Sequence, residues 1–444
     1  MKKYFTLFLL LIFFSEIPAQ QTLTLQQCID SALENNKKIK SQSLAKQERE
    51  IAYRQARQNL LPNLNAGANQ SFNFGRALDA DNIYQTANST QTSFNLSSNL
   101  TIFDGLKMKH SIDARRAEMY ASEADLGKMK DDIILSVNMA FLEVLMNKEL
   151  LQIAKEQLEI TQQNIERQKI LVESRKIVEG ELYELKAQAS KEKLKYIEAE
   201  NNLKISLLNL AQIIELSPLT SSVLSKRSNK WDFDVTAPDD LWNNDLTLLS
   251  VEMVYEKALK NRPEIKSAEY KLQSTKKNML IARSGYYPIL SLGANAGTNY
   301  FNLNNVQNNS FEKQLLNNRS TSVGLSLNIP VFNRFEVNNR VKTAKLELEN
   351  SELNISITKA ELYKTIQQAC LNADAAKSRW DAAMESETAA QEAYRFALQK
   401  YEVGRTSQYD FFQAKSLLAQ VLSEKAQAKY EYFFRLKILE MYNQ

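Results

Sequence analysis

The residues able to do covalent or metal chemistry are few. His110 is the only histidine in 444 residues, and Cys28 and Cys370 are the only cysteines. A Ser-His-Asp triad or an imidazole-based metal centre would rest on His110 alone. No CxxC pair, phosphate-binding glycine loop or nucleophile–base pair occurs, and the ten methionines do not cluster. The chain reads as a non-enzyme with no cofactor and no bound metal. The cysteines read as small buried hydrophobes, with a Cys28–Cys370 disulfide as the sharper alternative. What recurs at a meaningful spacing is uncharged asparagine. Asn63, Asn65 and Asn69 alternate with Leu64, Ala66 and Ala68. Asn95 and Asn99 fall between Phe94, Leu96 and Leu100, Asn295 between Ala294 and Ala296, and Asn328 between Leu327 and Ile329. Such an alternation holds water on one side of a strand and excludes it from the other.

Four stretches carry this period of two, beginning near residues 64, 94, 290 and 323. Each runs about 9–11 residues, the length of a tilted membrane-spanning strand. A soluble sandwich is the competing reading. It lacks a second sheet to cover the apolar side, and an isolated hairpin is marginal in water. Between the strands the period is helical. Ile133, Val137, Phe141 and Leu145 step by four, and charged residues such as Lys191, Glu192, Lys193 and Glu198 fill the other positions, as expected for solvated helix faces. No proline lies between Pro62 and Pro218 or after Pro330, so very long helices are permitted there. A helix over 105–173 would extend about 100 Å.

The chain also repeats itself. ALENNKKIKS at 32–41 aligns with ALKNRPEIKS at 258–267, and LSSNLTIFDG at 96–105 with LSLNIPVFNR at 325–334. The reading is two tandem copies: 20–216 with a β-hairpin at 62–104, and 251–444 with a hairpin at 288–333. Each copy has a leading helix and a long helical hairpin. Residues 217–250, with Trp231 and Trp242, form the linker. The polar segments 75–91 and 302–319 read as extracellular loops. Phe72, Phe74, Phe94, Phe103 and Tyr300 are placed toward strand ends.

MKKYFTLFLLLIFFSEIPAQ reads as a secretory signal covering residues 1–19. Lys2, Lys3 and Glu16 leave with it, taking the net charge from +4 to +3. That balance carries no footprint for nucleic acid. No later stretch suits a spanning helix, so any membrane entry is by strands. Strands in a bilayer must close. Two chains would give eight strands around a filled interior, and three give twelve. The polar lumen pattern favours the trimer. The fold class is thus an α+β membrane protein: a trimeric twelve-strand β-barrel, four strands per chain, continued by long helices.

With the ALxN entries, Arg57 to Pro62, Arg283 to Pro288, and KYEVGRTSQYDFFQAKSLLAQ at 400–420, the sequence resembles the TolC family of outer membrane efflux proteins over essentially the whole mature chain. Tyr401, Val403, Gly404, Asp410 and Ala414 match that family's helix-tip motif. The resemblance implies a homotrimeric exit duct in outer membrane lipid, fed by an inner-membrane transporter through a periplasmic adaptor. Segment 217–250 would contribute to an equatorial girdle around the helical tube.

It also implies a periplasmic gate of tyrosine–carboxylate contacts and an aspartate ring. Tyr401 matches the tyrosine and Asp410 the first ring aspartate. Gln413 replaces the second. The family arginine falls on Thr406, and Arg405 one residue earlier is the candidate substitute. In the first copy Arg175 stands where Gly404 sits, and Tyr183 holds the acidic partner's place. Glu181 and Glu184 flank it and are the candidate charges. Ser174, Arg175, Val403 and Gly404 are the expected adaptor-contact tips. Against this stand a solvated Asp410 and a Tyr401 that merely packs. An outer component for type I protein secretion shares the architecture, and a periplasmic coiled-coil scaffold is the reading from another class.

Overall fold

A computed structural model describes residues 21–78, 83–176, 178–216, 233–236, 250–304 and 307–443. The expected signal segment, Trp231 and Trp242 lie outside the described residues. Helices α1 (Leu25–Asn35) and α2 (Lys37–Gln58) lead into β2 (Asn65–Asn73) and β5 (Ser89–Phe103). Helices α3 (Lys107–Glu173) and α4 (Glu179–Ile213) follow. The pattern then recurs as α5 (Val251–Asn261), α6 (Pro263–Ser284), β7 (Ile289–Leu303), β8 (Ser320–Asn328), α8 (Glu336–Glu402) and α9 (Gln408–Asn443). Strand β1 (Gln21–Leu23) pairs parallel with β6 (Phe233–Val235), and β3 (Arg76–Leu78) pairs with β4 (Tyr84–Thr86). Helix α7 (Phe311–Asn317) completes the set.

The bounds of three helix pairs recur to the residue. Helices α5 and α6 begin 226 residues after α1 and α2, at Val251 against Leu25 and Pro263 against Lys37. Helices α3 and α8 are both 67 residues long. Breaks separate the helices of each leading pair at Asn36 and at Arg262, which precedes a proline. Both residues are buried and use their side chains elsewhere. The Asn36 amide donates to the Ile213 carbonyl at 3.0 Å, and Arg262 pairs with Asp131 at 3.0 Å.

The chain divides into two compact units. The first takes the described residues within Met1–Ser41, Gly127–Arg262 and Glu361–Gln444. Ile133, Val137, Phe141 and Leu145 are all buried in it, as their spacing of four requires. Trp380 packs on Tyr432 and Phe433. Cys28 and Cys370 are buried and free, so no disulfide joins them. Burial pushes the Cys28 thiol up to about 11. The small β1–β6 sheet is tied to α3 by Lys148, which reaches Asp234 at 2.6 Å.

The second unit spans Gln42–Leu126 and Pro263–Ala360. Here acids on α3 meet partners on α6: Asp113 with Lys277 at 3.0 Å, Glu118 with Ser274 at 3.1 Å, and Asp125 with Lys271 at 3.1 Å. Hydrogen bonding from Lys277 holds the Asp113 carboxyl below the usual carboxylate range. The unit contains one four-stranded antiparallel sheet in the order β2-β5-β7-β8. The central strands exceed the expected length: β5 and β7 have 15 residues each. Residues Ser89–Ser93 gain partners in Asn299–Leu303, so pairing continues past the alternating apolar positions. The segment expected as a loop at 75–91 thus gives up its last residues to β5 and folds the β3–β4 hairpin. Phe94 consequently lies in mid-strand, opposite Ala68 and Thr298, rather than toward an end.

Candidate functional site

The sheet separates the two residue classes by register. Asn65, Ser97, Asn295 and Ser322 form one cross-strand row. Gly67, Asn95, Gly297 and Ser320 form another, and Asn99 pairs with Gly293. Asn69 faces Ser93, and Asn328 faces Ile289 at the far end. Asn63 extends the ladder: its side-chain oxygen accepts from the Asn99 amide at 2.7 Å. The seven asparagines singled out by alternation therefore line one face. At Gly67 the backbone approaches closely: an added Cβ would meet the Asn95 side-chain oxygen at 2.6 Å and push that amide aside.

The opposite face is apolar and uncovered. Leu100, Leu292 and Leu325 form one row, and Leu290 pairs with Leu327. Val323, Leu325 and Leu64 are 68–70% exposed, and Val331 beyond β8 is 93% exposed. Strands β2 and β8 each have one neighbour, so nine residues at each edge keep an unpaired row of backbone N–H and C=O groups. The four strands contain no charged residue. Among the described residues, no helix is long and apolar enough to cross a membrane.

In the other unit, the two long helical hairpins end in related turns. Helix α3 closes with Arg175 N–H to Val172 O at 2.8 Å and Lys176 N–H to Leu171 O at 3.0 Å. Helix α8 closes with Gly404 N–H to Tyr401 O at 3.1 Å and Arg405 N–H to Lys400 O at 2.8 Å. Both are the crossed pair that satisfies the last carbonyls around a left-handed residue. That residue is Arg175 at φ 57° and Gly404 at φ 70°. Ser174, Arg175, Val403, Gly404 and Arg405 are all exposed.

Asp410 is exposed in the first turn of α9. Its Oδ2 accepts from the Ser407 hydroxyl at 2.7 Å and the Thr406 hydroxyl at 3.0 Å, and its N–H donates to Ser407 Oγ at 3.1 Å. The Ser407 and Thr406 bonds hold its carboxyl below the ordinary range, so it stays charged at neutral pH. Gln413 lies one turn further and is exposed. Tyr401 stacks on Phe411 at 4.7 Å between ring centres. Its hydroxyl accepts from Gln168 Nε2 at 2.8 Å. Gln168 also reaches Gln408, whose amide donates to the Glu181 carbonyl at 3.2 Å. Glu181 and Glu184 are exposed, and neither carboxylate bonds Tyr401 among the described residues. Glutamines, rather than carboxylates, link these tips within one chain.

Two features escaped the sequence reading. Gln168 is buried, with its side-chain oxygen unpaired. Lys415, on α9, is buried to 1% exposure. Its ammonium bonds both oxygens of buried Glu192 on α4, at 3.0 and 3.2 Å, as well as Thr161 and the Gln157 carbonyl on α3. Burial lowers the Lys415 pKa, and Glu192 opposes that shift. Glu192, expected on a solvated helix face, is instead buried against Lys415, and spacing was the signal that the expectation passed over. Lys415 follows Phe411 by four and Glu192 follows Leu185 by seven, so each falls on an apolar stripe.

Comparison with known proteins supplies the remaining findings. Residues 28–214 and 254–436 match the family model described as outer membrane efflux protein. A probable efflux pump outer membrane protein, TtgC of Pseudomonas putida, is 27% identical over 164 residues. That alignment covers 35% of this chain and 31% of the relative's length. The CmeC outer membrane channel of Campylobacter jejuni superposes with a TM-score of 0.76 at 21% identity, covering 94% of this chain and 85% of that one. The open state of the Neisseria gonorrhoeae MtrE outer membrane channel gives 0.73 at 20% identity, covering 94% and 88%.

Proposed function

Because the chain belongs to the outer membrane efflux protein family, we propose that it is the passive outer membrane exit duct of a tripartite efflux system. It passes small molecules from an inner-membrane transporter and periplasmic adaptor to the outside of a Gram-negative cell. The observation that carries this reading is the uncharged sheet with a bare apolar face and two open edges. In a bilayer, unpaired edge groups cost several kcal/mol each, so the edges must meet other copies. Three chains of four strands close a twelve-strand barrel with the asparagine face toward a water-filled lumen. Each chain is a tandem repeat, consistent with helix bounds that recur at offsets of 226 and 229. Exposed Leu194, Ile197, Ile205 and Leu208 on α4 offer an apolar stripe for a helix of a neighbouring copy.

The gate is placed at the helix tips. Three copies of Asp410 around an axis repel one another and attract hydrated cations, forming a narrow, cation-sensitive constriction. Tyr401, Arg405, Gln413, Glu181 and Glu184 surround it, and Ser174, Arg175, Val403 and Gly404 present the adaptor contacts. Single-channel recording in planar bilayers tests the proposal. Wild type is expected to give small channels blocked by multivalent cations. Asp410→Ala combined with Tyr401→Phe should raise the conductance and abolish the block. Unchanged conductance and block would remove these residues from the gate, and absence of any channel would sink the duct.

A further inference from the structure

The four turns where strands meet long helices share a pattern. Each exposes a pair of large apolar side chains: Leu60 and Leu61 at the α2–β2 turn, Phe103 and Leu106 at the β5–α3 turn. Tyr286 and Tyr287 do so at the α6–β7 turn, and Phe332 and Phe335, edge to face at 5.8 Å, at the β8–α8 turn. Register carries the apolar face down to this level. Strand β5 slips by one residue between Thr101 and Phe103, which sets Phe103 opposite Leu290, in the row that ends at Leu327. Neighbouring turns also touch. A Cβ at Gly105 would meet the Tyr287 side chain at 2.7 Å, and one at Gly285 would meet Val337, at the start of α8, at 2.9 Å. The apolar pairs thus form a rim at the helical end of the sheet. Each turn adds an exposed cation to it: Arg57, Lys107, Arg283 and Arg334. None of these four has a carboxylate partner among the described residues. The acids of the same turns are occupied. Asp104 accepts from the Met108 N–H at 3.0 Å, and Glu336 pairs with Arg340.

We propose that this rim holds anionic headgroups of the phospholipid leaflet on the periplasmic side, with Arg57, Lys107, Arg283 and Arg334 on the phosphates. The inference rests on the reading of the sheet as a membrane barrel whose helices lie in the periplasm. Aromatic side chains settle where hydrocarbon meets water, and here they mark that level. The strands above it hold no charge, so these cations are the first met on leaving the apolar face. A guanidinium suits a phosphate in two-pronged geometry, and an ammonium suits it as a point charge. A zwitterionic headgroup brings its own ammonium, which cancels the attraction. Charge complementarity therefore selects the anionic lipid.

The test is native mass spectrometry of the purified full chain, delipidated in detergent and offered equimolar phosphatidylglycerol and phosphatidylcholine. Phosphatidylglycerol adducts should dominate about fivefold, the effect of one basic residue at a membrane surface. Arg57→Gln, Lys107→Gln, Arg283→Gln and Arg334→Gln combined should bring the ratio to unity with the oligomer mass unchanged. Arg319→Gln, at the loop end of the sheet, should leave it as in wild type. Raising ammonium acetate from about 0.05 to 0.5 M should collapse the preference of the unaltered protein, a readout that needs no variant to fold. Equal adducts in wild type, a preference indifferent to salt or to the fourfold change, or one lost in Arg319→Gln would overturn the inference. Channel recording of the same samples scores the duct separately. A channel-forming chain with no lipid preference defeats the rim alone, and a chain that never enters a bilayer defeats both.

Discussion

The two helical tips share a backbone and differ in how their side chains support it. Both turns place one residue in left-handed geometry, Arg175 in the first and Gly404 in the second. Glycine adopts that conformation freely, whereas a residue with a Cβ is strained there. The helix that follows is also treated differently. Ser407 Oγ accepts from the Asp410 N–H, an N-cap on α9, and its hydroxyl donates to the Asp410 carboxylate, which holds the cap in place. Helix α4 starts after Val178, which makes no side-chain cap bond. Its first-turn Glu179 and Glu181 favour the helix dipole, and the Glu181 N–H bonds the Val178 carbonyl at 3.2 Å rather than a capping side chain. One tip is thus preorganised by its sequence, and the other is held by its surroundings. Asp410, the aperture candidate, sits in the preorganised one.

The buried ion pair joining the hairpins offers the strongest way to break this contrast. Lys415→Met strands the Glu192 carboxylate in the interior, and unfolding in detergent should show a loss of about 3–5 kcal/mol. Lys415→Met with Glu192→Leu should recover most of it. A loss below about 1 kcal/mol would mean that each hairpin stands without the other, because surface ion pairs contribute no more than that. Next come the left-handed positions. Gly404→Ala should cost about 1–2 kcal/mol, and Arg175→Gly should cost nothing or gain up to about 1 kcal/mol. Equal effects at both turns would erase the distinction. The smallest test concerns the caps. Ser407→Ala should lose about 1 kcal/mol, and Val178→Ser should gain a similar or smaller amount, read as thermal midpoints by circular dichroism. No gain at Val178 would show that some other group already satisfies the start of α4.

Much of the sheet was legible because a strand has a strict period of two. Asn65, Asn95 and Asn295 declared their face before any coordinates, and the pairing rows agree. The lengths of β5 and β7 were not legible, because Ser89 to Ser93 carry no alternation and are strands through their partners alone. The helix-tip positions were legible by likeness, down to Gly404 and its counterpart Arg175. What Tyr401 touches was not. Its partner Gln168 is 233 residues away, and nothing local marks a glutamine for that contact.

Local chemistry settled the periodic features. Proline-free runs gave 67-residue helices, and alternation gave strands with one polar and one apolar face. These depend on side-chain spacing, which a linear string contains in full. Tertiary structure alone decided which strands pair, and how Lys415 finds Glu192. Each joins residues far apart in the chain, where contact depends on register and packing rather than on neighbours in sequence.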